Sequence, residues 1–327
     1  METQMQISRS IKENTKPELL HWANLLYLLI FTVSVLIAVR PAGSPKGGLP
    51  GWLDPAVMMI VAQVGGILIP ALLFLWLTRQ PVLTTLKLRR LSFGSGVKCF
   101  LIGLLCWPIL IALSNLSQIL LMLIGPSQVG ATSDVVNNGG SPWIAFLGIV
   151  LVAPLFEEIL FRGVLMSAYE RRVGFHAIWL VAILFAFYHF SIDMILYVLF
   201  IGFLLGWLVY RTRSIWAGVL VHMGVNLLGG LLMLLNTLTV PAGAEAAAQN
   251  TATLPLDVMW LGVMIWGGVG LVLLVPIFFL LRSISKRYPA PDQPATRLSL
   301  RNTWSTIAVS LGAVAYFGAQ LLSWMRQ

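Results

Sequence analysis

Two adjacent carboxylates and an arginine interrupt an apolar stretch, VAPLFEEILFR, at residues 152–162. On an α-helix, residues four apart share a face, whereas neighbours point about 100° apart. We therefore expect Glu158 and Arg162 to pair, which neutralises one carboxylate locally. Glu157 has no such partner close in sequence, and an unpaired buried carboxylate suits a general base or acid. The alternative is that all three charges form a structural cluster that holds helices together.

Two further motifs place imidazoles and an amide in apolar stretches. FAFYH puts Phe185 and His189 on one helix face, and HMGVN does the same for His222 and Asn226. Each motif alone is typical of hydrogen bonding between membrane helices. Together with the carboxylates they supply two imidazoles and an amide, which is the composition of an acid–base site with oxyanion donors.

The elements that must position these residues are membrane-spanning helices. Apolar residues make up 58% of the 327-residue chain and charged residues only 10%, against about 25% in globular domains. The mean hydropathy is +0.87. These values exclude soluble globular, disordered, collagen-like and disulfide-scaffold proteins. The sequence therefore predicts an all-α, polytopic transmembrane helical bundle, in which each embedded ionisable residue is a functional-site hypothesis.

Nine apolar segments are candidates for crossing the membrane, since a spanning helix needs about 20 such residues. We expect about eight core helices and one extra C-terminal helix, with the first segment kept as an anchor rather than removed as a signal peptide. The candidate segments are 22–39, 56–77, 99–124, 143–169, 175–190, 194–210, 215–237, 258–281 and 303–324.

Lys and Arg residues between these segments predict the orientation. With the N-terminus in the cytosol, 17 of the 21 lie on the inside and three on the outside, while Arg162 lies within a span. The net charge of +9 comes from basic residues in short clusters between the apolar segments, as is typical of topology signals. This distribution excludes nucleic acid as a partner. We expect an integral protein of the cell membrane, the inner membrane in a prokaryote.

The segments also predict a division of the chain. We expect a cytosolic N-terminal segment, three transmembrane helices, a catalytic core of helices four to seven, an external loop and C-terminal transmembrane helices. Their bounds are 1–21, 22–142, 143–237, 238–257 and 258–327.

The depths in the membrane that are counted along the sequence agree for Glu157 and His222 but not for His189. Counted from Trp143, Glu157 lies about 21 Å into the membrane, or roughly 9 Å from its inner edge. His222, counted from Trp216, lies at a similar depth of roughly 9 Å. His189 comes out at about 15–21 Å. Either a tilted fifth helix closes this gap or the apolar stretch 178–210 is not two plain spans, and the sequence leaves both open.

EEILFR, FAFYH and HMGVN, in this order on separate spans, resemble the EExxxR, FxxxH and HxxxN/B motifs of the CPBP family. These are the CAAX-protease and bacteriocin-processing intramembrane endopeptidases, also called the Abi family, which include the type II CAAX prenyl endopeptidases. The resemblance covers roughly residues 143–235. It implies about eight helices around a cavity that opens toward the cytosol.

The resemblance also implies roles for the motif residues. Glu157 would be the general base that activates water, with His189 assisting. His222 and Asn226 would stabilise the oxyanion of the tetrahedral intermediate. Structural support would fall to three further residues: Glu158, Arg162 and Phe185.

The sequence favours glutamate chemistry without a metal. HExxH, CxxC, GxSxG and GxGD motifs are absent from the chain. Zinc is the alternative cofactor, and its ligands would be Glu157, His189 and His222.

We therefore expect an intramembrane endopeptidase that cuts near the cytosolic face, with membrane lipid and a peptide or protein substrate as partners. A proton-coupled transporter is one alternative, because embedded Glu and His residues also relay protons. A non-catalytic scaffold or immunity protein of the same fold is another.

Overall fold

The computed structural model describes residues 17–38, 54–123, 140–239 and 255–291, together with Gly318. The regular structure in this part of the chain is helical. In chain order, the α-helices are α1 (Pro17–Ala38), α2 (Pro55–Gln63), α3 (Ile69–Leu77), α4 (Val82–Thr85), α5 (Phe93–Met122), α6 (Pro142–Leu147), α7 (Ala153–Glu158), α8 (Met166–Val173), α9 (Ala177–Tyr188), α10 (Ile195–Thr212), α11 (Ile215–Thr239) and α12 (Leu256–Arg287).

Six helical stretches among the described residues are long and apolar enough to cross a membrane, and the first helix adds a shorter apolar stretch, Leu19–Val35. The all-α, polytopic fold predicted from the sequence is therefore confirmed. The ninth candidate span, 303–324, lies outside the described residues apart from Gly318. The six stretches are Pro55–Leu77, Phe93–Met122, Pro142–Tyr188, Ile192–Thr212, Ile215–Thr239 and Leu256–Arg287.

The stretch Pro142–Tyr188 reverses its direction at Gly174. Gly174 has a φ of 56°, which favours glycine. The next helix, α9, runs back along the helix before it. The ring centroids of Phe161 and Phe185, 24 residues apart in the sequence, are only 5.0 Å apart. With 12 residues, α9 is about 18 Å long and cannot cross a 30 Å hydrocarbon core. The fifth predicted span is thus a short returning helix.

The helix that carries the two glutamates is widened at two points. It is helical from α6 to α8, but the segments Gly148–Val152 and Ile159–Leu165 are π-helical. In the second segment, the Met166 N–H bonds to the Phe161 carbonyl, five residues back. Such π-bulges are frequent at functional sites. The sequence predicts a regular α-helix here and carries no sign of the change of geometry directly after Glu158.

Side-chain hydrogen bonds tie the outer helices to the helices of the site. The Tyr27 hydroxyl on α1 donates to the Leu184 carbonyl on α9 at 2.9 Å. The Asp54 carboxylate caps α2 by accepting from the Ala56 N–H, and it also accepts from the Ser141 N–H just before α6. The starts of α2 and α6 are therefore fixed together.

Helices α5 and α11 pack backbone against backbone. A Cβ atom on Gly103 would lie 2.1 Å from the Val221 carbonyl oxygen, and one on Gly224 would lie 2.4 Å from that of Phe100. Only glycine allows this approach. The crossing fixes α11 against α5, and α11 carries His222.

A buried lysine lies where α4 ends. Lys87 is 6% exposed, and its Nζ donates to Ser167 Oγ at 2.7 Å and to the Arg162 carbonyl at 3.0 Å. It lies 3.7 Å from a Glu170 carboxylate oxygen, which also accepts from Arg213 at 2.8 Å. Burial lowers the pKa of Lys87, partly offset by Glu170. We call Lys87, Ser167, Glu170 and Arg213 the Lys87 cluster.

Candidate active site

The two adjacent glutamates end α7, and both are buried. Glu158 is fully buried, and its Oε1 accepts from Arg162 Nη1 at 2.7 Å. The i,i+4 pairing predicted from the sequence is therefore confirmed. It forms although Arg162 lies in the π-helical segment, because four residues still make up nearly one full turn there.

Arg162 is held on three sides. Besides the ion pair, its Nη2 donates to the Gly202 carbonyl on α10 at 2.9 Å. Its guanidinium lies over the Phe185 ring, 4.4 Å from the centroid, in a cation–π contact. These contacts compensate a charge with no solvent exposure. Arg162 thus joins the helical stretch that carries the two glutamates to α9 and α10.

A glycine on α11 makes room for Glu158. A Cβ atom on Gly218 would lie 2.4 Å from Glu158 Oε2 and 2.9 Å from Val209 Cγ2. Gly218 lies four residues before His222, one helical turn away on the same face. The sequence analysis missed this residue, and its spacing from His222 is the signal that could have found it.

His222 lies between the two carboxylates. Its Nδ1 is 3.2 Å from Glu158 Oε1, and its Nε2 is 3.9 Å from Glu157 Oε2. A hydrogen on Nδ1 satisfies the contact with Glu158, which leaves Nε2 of a neutral ring as an acceptor facing Glu157. The oxyanion role that the resemblance implies for His222 stays a prediction, and the structure places its ring beside Glu157 as well as Glu158.

Glu157 is the acidic group of the site that has no arginine or lysine partner in the described structure. It is 7% exposed, and its contact with His222 is longer than a hydrogen bond. A polar gap above 3.5 Å accommodates a bridging water. The arrangement can therefore hold a water molecule between a carboxylate and an imidazole.

Phe185 packs against both imidazoles. Its ring meets the His189 ring edge to face at 4.6 Å and the His222 ring at 5.8 Å. His189 Nδ1 lies 2.8 Å from the Phe185 carbonyl, to which it can only donate. The structure thus brings both histidines to the same ring, although their depths counted along the sequence differ.

Asn226 is hydrogen-bonded to the helical stretch that carries the two glutamates. Its Nδ2 donates to the Ile149 carbonyl, in the first π-helical segment, at 2.9 Å. A side-chain amide has two N–H groups, so the second remains for another acceptor. The predicted oxyanion role of Asn226 stays a prediction.

The described residues do not form a three-ligand metal site. No group of three His, Cys, Asp or Glu side chains in this part of the chain is placed to hold an ion. The zinc set offered by the sequence, Glu157, His189 and His222, is not assembled in that way.

Comparison with known proteins supports the family resemblance. Residues 139–228 match the family model described as "Type II CAAX prenyl endopeptidase Rce1-like". This segment contains all three motifs and thus every residue of the candidate site. The resemblance to CAAX proteases drawn from the motifs is therefore confirmed for this segment.

A curated protein matches over a shorter range. It is described as "Putative membrane peptidase YdiL" from Bacillus subtilis (strain 168), and it is 31% identical over 77 residues. The match covers 23% of this chain and 32% of the relative, so the chain matches about a third of that protein's length. No solved structure matches the chain.

Proposed function

We propose that this chain is an intramembrane endopeptidase that hydrolyses a peptide bond with water activated by Glu157. One observation carries the proposal. Among the described residues, a buried carboxylate without an arginine or lysine partner faces an imidazole whose other nitrogen contacts the Glu158–Arg162 pair. The family match and the membrane-peptidase relative support the same reaction class.

The proposed reaction begins with a water molecule between Glu157 Oε2 and His222 Nε2. Glu157 takes a proton from this water while the water oxygen bonds to the carbonyl carbon of the peptide. The carbonyl electron pair moves onto its oxygen, which gives a tetrahedral oxyanion. When the C–N bond breaks, the proton on Glu157 passes to the leaving nitrogen. The products are an amine and a carboxylic acid.

The neighbouring residues position this water and stabilise the intermediate. Glu158 and Arg162 orient the His222 ring, so that Nε2 accepts from the water. Asn226 supplies an amide N–H for the oxyanion, as its motif position implies. His189 assists, with its ring fixed by the Phe185 carbonyl.

We place the reaction at the cytosolic side of the cell membrane, with the N-terminus in the cytosol. The excess of Lys and Arg in the segments predicted to face inward supports this orientation. The substrate is a peptide or protein, and its prenylation is left open. The proposed mechanism involves no cofactor.

A peptide-pool cleavage assay tests the proposal. Purified wild type and Glu157→Gln are compared in nanodiscs, and the products are identified by mass spectrometry. We expect products from the wild type alone, with both proteins equally stable to heating. Equal products from both would remove Glu157 from the mechanism. Loss of wild-type cleavage on addition of a zinc chelator, with recovery on zinc, would replace the metal-independent mechanism.

A further inference from the structure

A groove lies between α5 and α11, away from the candidate active site. The two helices run in parallel and are closest where Gly103 meets Val221 and Gly224. Toward their N-terminal ends they enclose a groove of about 550 Å³. Its lining residues are Arg90, Leu91, Ser92, Phe93, Gly96, Val97, Phe100, Trp216 and Leu220.

At one end of the groove, the segments that precede α5 and α11 are bonded to each other. Leu88 and Ser214 form an isolated antiparallel bridge, and the Ser214 hydroxyl donates to the Arg89 carbonyl at 2.6 Å. The Ile215 N–H donates to the Lys87 carbonyl at 3.0 Å. These bonds hold the start of α11 against the segment before α5, so the groove is built into the fold.

The groove is apolar along its length, and Arg90 makes it basic at the end where these two segments meet. From Phe93 to Phe100 it runs about 10 Å along the helix axis, the length of several methylene groups. Arg90 is exposed, and no acidic residue lines the groove. Trp216, at 40% exposure, is the kind of residue that marks the membrane–water boundary.

We propose that this groove binds an acyl chain of an anionic phospholipid, with Arg90 at the phosphate. The apolar walls match a hydrocarbon chain, and the cationic end matches a negative headgroup at the predicted cytosolic leaflet, where anionic lipids concentrate. The proposal is independent of the peptidase reaction. It does place lipid against α11, the helix that carries His222.

Native mass spectrometry of the purified full-length chain tests the site. The chain is titrated with phosphatidylglycerol and with phosphatidylcholine of the same acyl length. Arg90→Gln should weaken phosphatidylglycerol binding about fivefold, the equivalent of roughly 1 kcal/mol for one basic residue, and change phosphatidylcholine little. Arg172→Gln, a basic residue outside the groove, is the matched control and should change neither lipid.

A second variant fills the groove. Gly96 lines the groove, and a Cβ atom on it would lie 3.2 Å from Leu220 Cδ1, the movable end of another lining side chain, so Gly96→Leu adds side-chain volume at the groove wall. It should weaken both lipids. Gly94→Leu is its control, because a Cβ atom there meets nothing within 4 Å. Thermal unfolding verifies that each variant is folded.

Three results would overturn the proposal. Equal wild-type affinity for the two lipids would remove the role of the headgroup. Unchanged phosphatidylglycerol binding by folded Gly96→Leu would remove the groove as the site. Binding of a prenylated peptide but of neither phospholipid, lost in the same variant, would make the groove a site for a substrate's lipid tail.

Discussion

The Lys87 cluster and the ionic groups of the candidate site differ in how their charges are compensated. In the Lys87 cluster, Glu170 pairs with two cations, and Lys87 also has two neutral acceptors. In the site, one carboxylate pairs with Arg162, whereas the ion-pair partner of Glu157 in the described part of the chain is His222, at a long 3.9 Å. A compensated cluster can hold helices together, whereas an uncompensated carboxylate needs another explanation.

The two clusters are also linked. Lys87 donates to the carbonyl of Arg162, and Arg162 donates to Glu158. Burying a charge without a partner costs several kcal/mol, so the stabilisation around Glu157 has to come from its surroundings. We therefore expect the Lys87 cluster and Arg162 to contribute stability, and Glu157 to contribute the proposed chemistry.

The largest expected effect separates these two roles. Glu157→Gln should lower the cleavage rate about 10³-fold, because it removes the general base, and should leave the unfolding midpoint unchanged or raised. Lys87→Met should do the opposite, with a lower midpoint and less than a tenfold change in rate. Cleavage kinetics and thermal unfolding in nanodiscs measure both. A Glu157→Gln protein as unstable as Lys87→Met would show that the carboxylate is structural.

The next effect concerns the compensated pair in the site. Arg162→Met should destabilise the fold by about 3–5 kcal/mol, because Glu158 remains buried without its cation. Adding Glu158→Gln should recover part of this loss, since the uncompensated charge is then gone. Denaturant titration of wild type, both single variants and the double variant measures the coupling. Strictly additive losses would contradict a direct ionic interaction.

A smaller effect tests the space reserved for Glu158. Gly218→Ala should destabilise by about 1–3 kcal/mol, because the added carbon meets Oε2 at 2.4 Å. Gly229→Ala on the same helix is the control, since its Cβ atom meets nothing within 4 Å, and it should be neutral or stabilise by up to about 1 kcal/mol. The two variants are compared by thermal unfolding. Equal stability would mean that Glu158 moves without cost.

The smallest effect is a pH dependence of the Lys87 cluster. Because burial lowers the pKa of Lys87, the unfolded chain binds more protons between that lowered pKa and the ordinary 10.5. Stability should therefore rise with pH in this window, by at most about 1.4 kcal/mol per pH unit. The rise should be absent in Lys87→Met. An identical pH profile in both proteins would assign the dependence to other groups.

The site shows which contacts a sequence can reveal. Glu158 and Arg162 lie four residues apart, so their pairing follows from helix geometry alone. The contact of His222 with both carboxylates joins residues more than 60 positions apart, and the motif order could not show it. The contact of Gly218 with Glu158 also joins two helices, and the one sign of Gly218 in the sequence is its spacing of four residues from His222.

The Lys87 cluster was missed for a different reason. A lysine between two apolar segments is typical of a topology signal, and the residues next to it in the sequence do not indicate that it is buried. Only the packing of α8 against the segment after α4 encloses it, through the bond from Ser167 to the Thr85 carbonyl. The π-helical segments were also missed, since their hydrogen-bond shift leaves no mark in the apolar pattern.

The sequence by itself determined that this is a bundle of membrane helices, which residues are costly to embed, and which glutamate pairs locally. Hydrocarbon thickness and helix periodicity impose these features on any chain of this composition. The tertiary structure decided the rest. It turned α9 back at Gly174, set His222 between the glutamates and enclosed Lys87. Helix rotation and tilt depend on packing against neighbours, and apolar segments alone do not specify that packing.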